Sequence, residues 1–241
     1  MATLDRVTDR AARLILRGAT VTHVVDHGRL RTITVAGDEL CGVAWRAGDK
    51  IRVRVESRTL RTYTPVAWNT RTGTAQFVVH LTGSGPGSRW CAAATPGTSC
   101  QFLGPARSLR VDQLSAPPIF VGDETSIGLV TAWRNTHEGL EPAAIIYEVE
   151  SIADTQAALA HHGNAHAIFV GRTAKGEHRD MLADHFAIAR RAHPDAPVCF
   201  SGCAQTIASL RRVAKETLRD VPAPATTLVK AYWDERRTGL D

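Results

Sequence analysis

Two short stretches hold residue types suited to gripping a flat, phosphorylated ligand. Arg61-Thr62-Tyr63-Thr64 lies in a strand-like run, where period two puts Arg61 and Tyr63 on one face and turns Thr64 to the other. An arginine fork clamps phosphate, a tyrosine ring stacks on a planar heteroaromatic, and a threonine hydroxyl bonds its rim. The second stretch, VVHLTGSGPGSRWC over residues 78–91, places Gly83, Gly85 and Gly87 between a strand-like and a helix-like run. Backbone N–H groups at Gly85, Gly87 and Ser88 would converge at a helix N-terminus whose dipole favours an anion. A plain glycine turn capped by Ser88 competes with that reading of the loop alone.

The loop is not a Rossmann turn. That fingerprint needs a full crossover helix after the glycines and an acidic residue about twenty positions on. Here Thr95-Pro96-Gly97 stops the helix early, and the strand after it, Ser99 to Leu103, ends in Gly104-Pro105 with no acid.

The elements that must position these residues change character along the chain. Up to about residue 104, Ile51, Val53 and Val55 alternate with Arg52, Arg54 and Glu56, and Ala75, Phe77, Val79 and Leu81 alternate with Gln76, Val78 and His80. Such alternation predicts half-buried antiparallel strands. Polar breaks at Asp26-His27-Gly28, Ala36-Gly37-Asp38 and Asn69 to Gly73 fall at hairpin-like spacing, so a small barrel or sandwich is expected. After Ala116-Pro117-Pro118, short apolar runs at 119–122, 143–149, 165–171, 197–202 and 226–231 alternate with helical stretches at about 124–138, 153–162, 177–192 and 203–220. That rhythm predicts a doubly wound parallel sheet. The expected fold class is an N-terminal antiparallel β-barrel followed by an α/β domain, divided as residues 1–115 and 116–241 with a C-terminal tail.

Composition narrows the function classes. The formal charge is +5, but the 29 Lys and Arg residues are scattered, which argues against a nucleic-acid stripe. The N-terminal stretch lacks the apolar run of a signal peptide, and no segment approaches bilayer-spanning length. Five cysteines without a CxxC pair point to a reduced, cytoplasmic chain with no membrane insertion. His161, His162 and His166 in HHGNAH lack a cysteine or carboxylate at ligand spacing, so they read as a solvated helix end and no metal site is expected.

Taken in order, RTYT, FVVH, GPGSRWCAAATPG, FLGPARS, VGDETS and AYW closely resemble the siderophore-interacting proteins, FAD-dependent ferric-siderophore reductases within the ferredoxin-reductase-like flavoproteins. The resemblance runs from about Val21 to Trp233 and is stronger in its flavin motifs. It implies that Arg61 binds the FAD pyrophosphate, Tyr63 lies against the isoalloxazine and Thr64 joins them. His80 would lie near the cofactor, and Gly85, Gly87, Ser88 and Trp90 would complete the cradle. Asp123, Glu124 and Thr125 match the first turn of the nicotinamide domain. Arg172 stands where related reductases hold a basic residue for the 2′-phosphate of NADPH, with a surface arginine as the competing reading and NADH as the alternative donor. Lys230, with Tyr232 and Trp233, would face an anionic ferric siderophore or other iron chelate, and a ferredoxin is an alternative electron donor. Three departures lie on the nicotinamide side: Ser201-Gly202-Cys203 replaces Ala-Gly-Glu, Ala231-Tyr232-Trp233 replaces Gly-Tyr-Trp, and Ser126-Ile127-Gly128 replaces Ala-Leu-Pro. An altered flavoprotein on the same scaffold, such as a secondary-metabolism enzyme, an oxygenase reductase or a non-catalytic flavin-bound protein, is therefore the alternative function.

Overall fold

The computed structural model describes residues 16–163 and 166–236. Seven strands form the first sheet: β1 (Arg17–His27), β2 (Leu30–Ala36), β3 (Lys50–Glu56), β4 (Thr59–Tyr63), β5 (Pro65–Asn69), β6 (Thr74–His80) and β7 (Ser99–Ala106). Their order is β4-β3-β7-β1-β2-β6-β5, and the pairs are antiparallel. β4 and β5 lie at opposite ends of that order, yet only Thr64 separates them in the chain. The sheet must therefore curl until its ends meet, and the Tyr63 and Phe77 rings stack across β4 and β6 with centroids 5.3 Å apart.

The alternation read from the sequence decides which face goes inside. Ile51, Val53, Val55, Ala75, Phe77 and Val79 are all buried in one barrel core with Phe102 and Cys100. The breaks at Asp26-His27-Gly28 and Asn69 to Gly73 are hairpin turns, joining β1 to β2 and β5 to β6. Ala36-Gly37-Asp38 is not. It leads into a short 3-10 turn, Asp38–Leu40, that buries Leu40, while β2 takes the later strand β6 as its second partner. Helix α1 (Pro86–Ala93) interrupts the strands between β6 and β7.

The second sheet is parallel, with order β10-β9-β8-β11-β12: β8 (Ile119–Asp123), β9 (Ala144–Val149), β10 (Ile168–Gly171), β11 (Val198–Cys203) and β12 (Thr227–Trp233). Between them run α2 (Ile127–Thr136), α3 (Ile152–His161), α4 (His178–Ala192) and α5 (Ala204–Thr217). All five expected strands are present, although the third begins at Ile168 and residue 165 lies outside the described residues. The expected helix at 124–138 starts as a 3-10 turn, Glu124–Ser126, because Asp123 and Ser126 close a capping box there. The chain leaves β8 toward β9 and β10, then crosses back to β11 and β12. The strand order thus reverses between β8 and β11, and their carboxyl ends open the crevice where such folds take ligands. One apolar cluster joins both parts, packing Leu30, Leu109 and Val111 with Phe120, Trp133 and Tyr147.

Candidate functional site

The barrel side of the site is built by β4 and α1. Arg61 and Tyr63 pair in register with Val53 and Ile51, and α1 begins directly against them. A Cβ on Gly87 would lie 3.0 Å from the Tyr63 hydroxyl and 3.2 Å from Arg61 Cγ. The helix N-terminus can approach that closely only because this residue has no side chain. Among the described residues no side chain caps α1, and Pro86 at its start has no N–H to leave unmet. The Ser88 hydroxyl turns back to accept the Thr82 N–H at 3.1 Å, so it does not cap the helix. A Cβ on Gly83 or Gly85 would meet nothing within 4 Å among the described residues. Arg61 makes one hydrogen bond among the described residues, from Nη1 to the Leu60 carbonyl at 2.8 Å. An arginine with spare donors beside uncapped helix N–H groups suits a pyrophosphate. This half of the site fits FAD.

Tyr63 presents an apolar ring, and burial raises its phenol pKa so that it stays neutral. Trp90 on α1 is half-buried against the barrel core. Thr64, buried at the barrel seam, places Oγ1 3.5 Å from the Tyr232 hydroxyl of β12. Burial raises the Tyr232 phenol too, and the Thr64 contact opposes that shift.

At the carboxyl ends of β8 and β11, Asp123 is fully buried. It accepts the Thr125 N–H at 2.8 Å, the Thr125 hydroxyl, and Trp233 Nε1–H at 2.6 Å. Ser201 and Ser126 bond to each other beside it, at 2.8 Å. Burial and then the Glu124 charge push the Asp123 carboxyl up to about 7, against the pull of the Thr125 and Trp233 bonds. The unfolded carboxyl titrates near 3.8, so between these values the folded chain holds the extra proton. Stability from this group is complete below pH 3.8 and is lost as pH rises through 7. The unfolding free energy of the wild type relative to Asp123→Asn should fall by about 1.4 kcal/mol per pH unit across that window, measured by urea unfolding. A flat difference would mean that Asp123 is ionised throughout.

A row of charges ties this crevice to the barrel. Glu124, buried, accepts the Glu150 N–H and pairs with Arg172 Nη2 at 2.9 Å. His80, at the end of β6, stands 3.9 Å from Glu124 and 3.5 Å from Glu150. Burial lowers its pKa, and the two carboxylates oppose that shift. Arg172 also lies over the Trp233 ring, 5.4 Å from its centre. To grip a 2′-phosphate it would have to leave Glu124, so the two roles compete. Lys230 is partly buried on β12, in register with Ser201.

The structure thus brings Arg61, Tyr63, Gly85, Gly87 and Ser88 together at one end, and Asp123, Glu124, Thr125, Arg172 and Trp233 at the other. His80, Thr64 and Tyr232 lie between them. Sequence reasoning missed Glu150, whose only signal was a carboxylate just past an apolar strand. It also missed the buried set Glu148, His178 and Thr206. His178 Nδ1 accepts the Thr173 N–H at 3.1 Å, its Nε2 lies 2.8 Å from Glu148 Oε2, and the Thr206 hydroxyl donates to that same oxygen at 2.9 Å. These bonds pin the loop after β10. The histidines of HHGNAH also differ from expectation: His161 is exposed, but His162 is half-buried against the barrel because α3 docks on the β1–β2 hairpin.

Residues 52–109, spanning most of β3 through β7, match the family model of the siderophore-interacting FAD-binding domain. No curated protein matches the chain. Among solved structures, the siderophore-interacting protein SipS from Aeromonas hydrophila is 20% identical, with a TM-score of 0.72 over 93% of each chain. The ferredoxin-NADP+ reductase from Plasmodium falciparum is 9% identical, with a TM-score of 0.65 over 89% of this chain and 95% of that one. The Amycolatopsis cytochrome P450 reductase GcoB is 16% identical, with a TM-score of 0.65 over 90% of this chain and 70% of that one. Residues 52–109 thus match the siderophore-interacting FAD-binding domain, and the chain as a whole has a ferredoxin-reductase-like fold.

Proposed function

We propose that this protein is a cytoplasmic flavin-dependent oxidoreductase that uses NAD(P)H to reduce ferric siderophores, releasing iron as Fe(II). The observation that carries the reading is that the family match falls on β4 and α1, where Arg61 and the uncapped helix N-terminus make an anion cradle. In this reading residues 1–115 hold FAD and residues 116–241 receive the nicotinamide nucleotide. Bound FAD supplies the conversion of a two-electron hydride donor into single electrons for two Fe(III) ions.

The chain's own residues bind and orient. Arg61 and the α1 N-terminus hold the pyrophosphate, Tyr63 offers a flat apolar face, and Gly87 keeps the helix close enough to do so. Trp233, held by Asp123, and Arg172, held by Glu124, wall the crevice on the nicotinamide side. Lys230 gives the cleft a positive charge that concentrates an anionic iron complex.

Purified protein reconstituted with FAD should be yellow and should bleach rapidly on anaerobic mixing with NADPH or NADH. Mixing the reduced protein with an anionic ferric siderophore should restore the colour at a rate that falls with added salt, because screening acts over about 8–10 Å at ordinary ionic strength. Bleaching without reoxidation by ferric complexes would transfer the assignment to a reductase for another acceptor. Failure to bleach with either nucleotide would remove the nicotinamide step.

A further inference from the structure

Away from the crevice, three imidazoles meet where the barrel touches the α/β half. The β1–β2 hairpin tip lies on α3: the Arg29 N–H donates to Asp154 Oδ2 at 2.9 Å, and the Arg29 guanidinium pairs with Glu150. Beside it, His27 and His161 have ring centroids 5.0 Å apart, and His161 meets His162 edge-on at 5.0 Å. The hydroxyl of Thr32, 1% exposed, stands 3.2 Å from His162 Nε2 and 3.5 Å from His27 Nε2.

A hydroxyl carries one proton. Set between two imidazole nitrogens, it donates to one and accepts from the other, so the set is complete when both rings are neutral, one with a bare Nε2 and one with Nε2–H. Protonating the accepting ring takes away the hydroxyl's acceptor and places a charge among two further imidazoles. The charged neighbours do little to offset this. Asp26 lies beside His27 but is already paired with Arg31. Asp154 and Glu150 are engaged with Arg29, and Arg134, which reaches the Gly163 carbonyl after α3, pairs with Glu141.

We propose that this contact is an acid-released latch between the barrel and the α/β half, closed by neutral imidazoles and opened by their protonation. Burial, then the charges of His161 and His27, push His162 down to about 4. Burial and His161 lower His27, with Asp26 opposing. Once released, an imidazole returns to near 6.5. As pH falls below 6.5 the open form takes up protons first, and the closed form follows only near 4. The latch is therefore closed above about pH 6.5 and loses its hold on acidification. His162 alone should shift the balance by about 30-fold between pH 8 and pH 5. Opening also releases Glu150, whose other carboxylate oxygen stands 3.5 Å from His80, so acid reaches the crevice through the same contact.

The test is hydrogen exchange of the Arg29 amide, corrected for its intrinsic rate, in the wild type and in His162→Gln. The window ends at pH 5, above the range where carboxylates ordinarily take up protons. Arg29 protection should fall about 30-fold from pH 8 to pH 5, and His162→Gln should cut that fall several-fold. Should the variant not fold, the C2–H signals of the ten histidines in the wild type decide, with the His162 ring expected to titrate well below pH 6. Arg29 protection that ignores pH, an equal fall in His162→Gln, or ten histidines all titrating near 6.5 would each overturn the latch.

Discussion

Arg61→Ala should weaken FAD binding by roughly 10- to 150-fold while leaving the fold intact. A hydrogen bond to a charged group contributes about 1.5–3 kcal/mol, and each 1.4 kcal/mol is about a tenfold change in Kd. The structure adds two reasons to expect the upper part of that range. Among the described residues Arg61 spends one bond on the protein itself, to the Leu60 carbonyl, so most of its donors are available to the ligand. The guanidinium also acts beside the N-terminus of α1, so phosphate oxygens would lose one of two neighbouring sources of positive potential. Titration of apoprotein with FAD, followed by tyrosine or flavin fluorescence, gives the ratio. A Kd within a factor of two of the wild type would remove Arg61 from the cofactor site. Arg61→Lys separates charge from geometry, because it keeps the charge and loses the fork.

Gly202→Ala should cost about 3–5 kcal/mol of stability, combining backbone strain with a collision in a packed interior. Gly202 has φ +105, and a Cβ there would lie 2.3 Å from Asp123 Oδ2 and 2.6 Å from its Cγ. Asp123 cannot retreat, since it is buried and accepts bonds from Thr125 and Trp233. At about 2–4 °C per kcal/mol for a chain of this size, thermal unfolding should move down by roughly 6–20 °C. An unchanged transition would show that the crevice relaxes freely. The same contact explains a pattern in the sequence. Where the resembling family has Ala-Gly-Glu, this chain has Ser201-Gly202-Cys203: both neighbours differ and the glycine stays. Ser201 bonds Ser126, itself one of the altered residues after β8, at 2.8 Å, so two of the departures are halves of one hydrogen bond.

What could be read beforehand was whatever depends on near neighbours in the chain. Burial of Ile51, Val53 and Val55 follows from period two, and the five strands of the second sheet follow from short apolar runs. Arg61 and Tyr63 share a face for the same reason. Contacts between distant residues left no such trace. Nothing local distinguishes the true turn at Asn69 to Gly73 from Ala36-Gly37-Asp38, because what separates them is which later strand pairs with β2. Thr206 meets Glu148 across 58 positions, and His162 meets Thr32 across 130. Helix propensity gives no notice that the exposed end of α3 is covered by a hairpin from the other sheet. Arg172 was legible by place but not by partner: the buried Glu124 that engages it is 48 positions earlier.

The strand order of the barrel also sets a sequence of events during synthesis. Among the described residues, β7 is the one strand hydrogen-bonded to both β3 and β1. Before residues 99–106 emerge, β3 with β4 and β1 with β2, β6 and β5 are two separate ladders, joined only by loops and by Thr64. Each ladder then carries an edge that β7 will later cover, and exposed edges invite pairing with other chains. Closure depends on contacts of long sequence separation, such as Arg17 with Phe102, and such contacts form slowly. The nascent chain is therefore most exposed to aggregation just before β7 appears, and the cradle on β4 and α1 acquires its final shape only after that strand is in place.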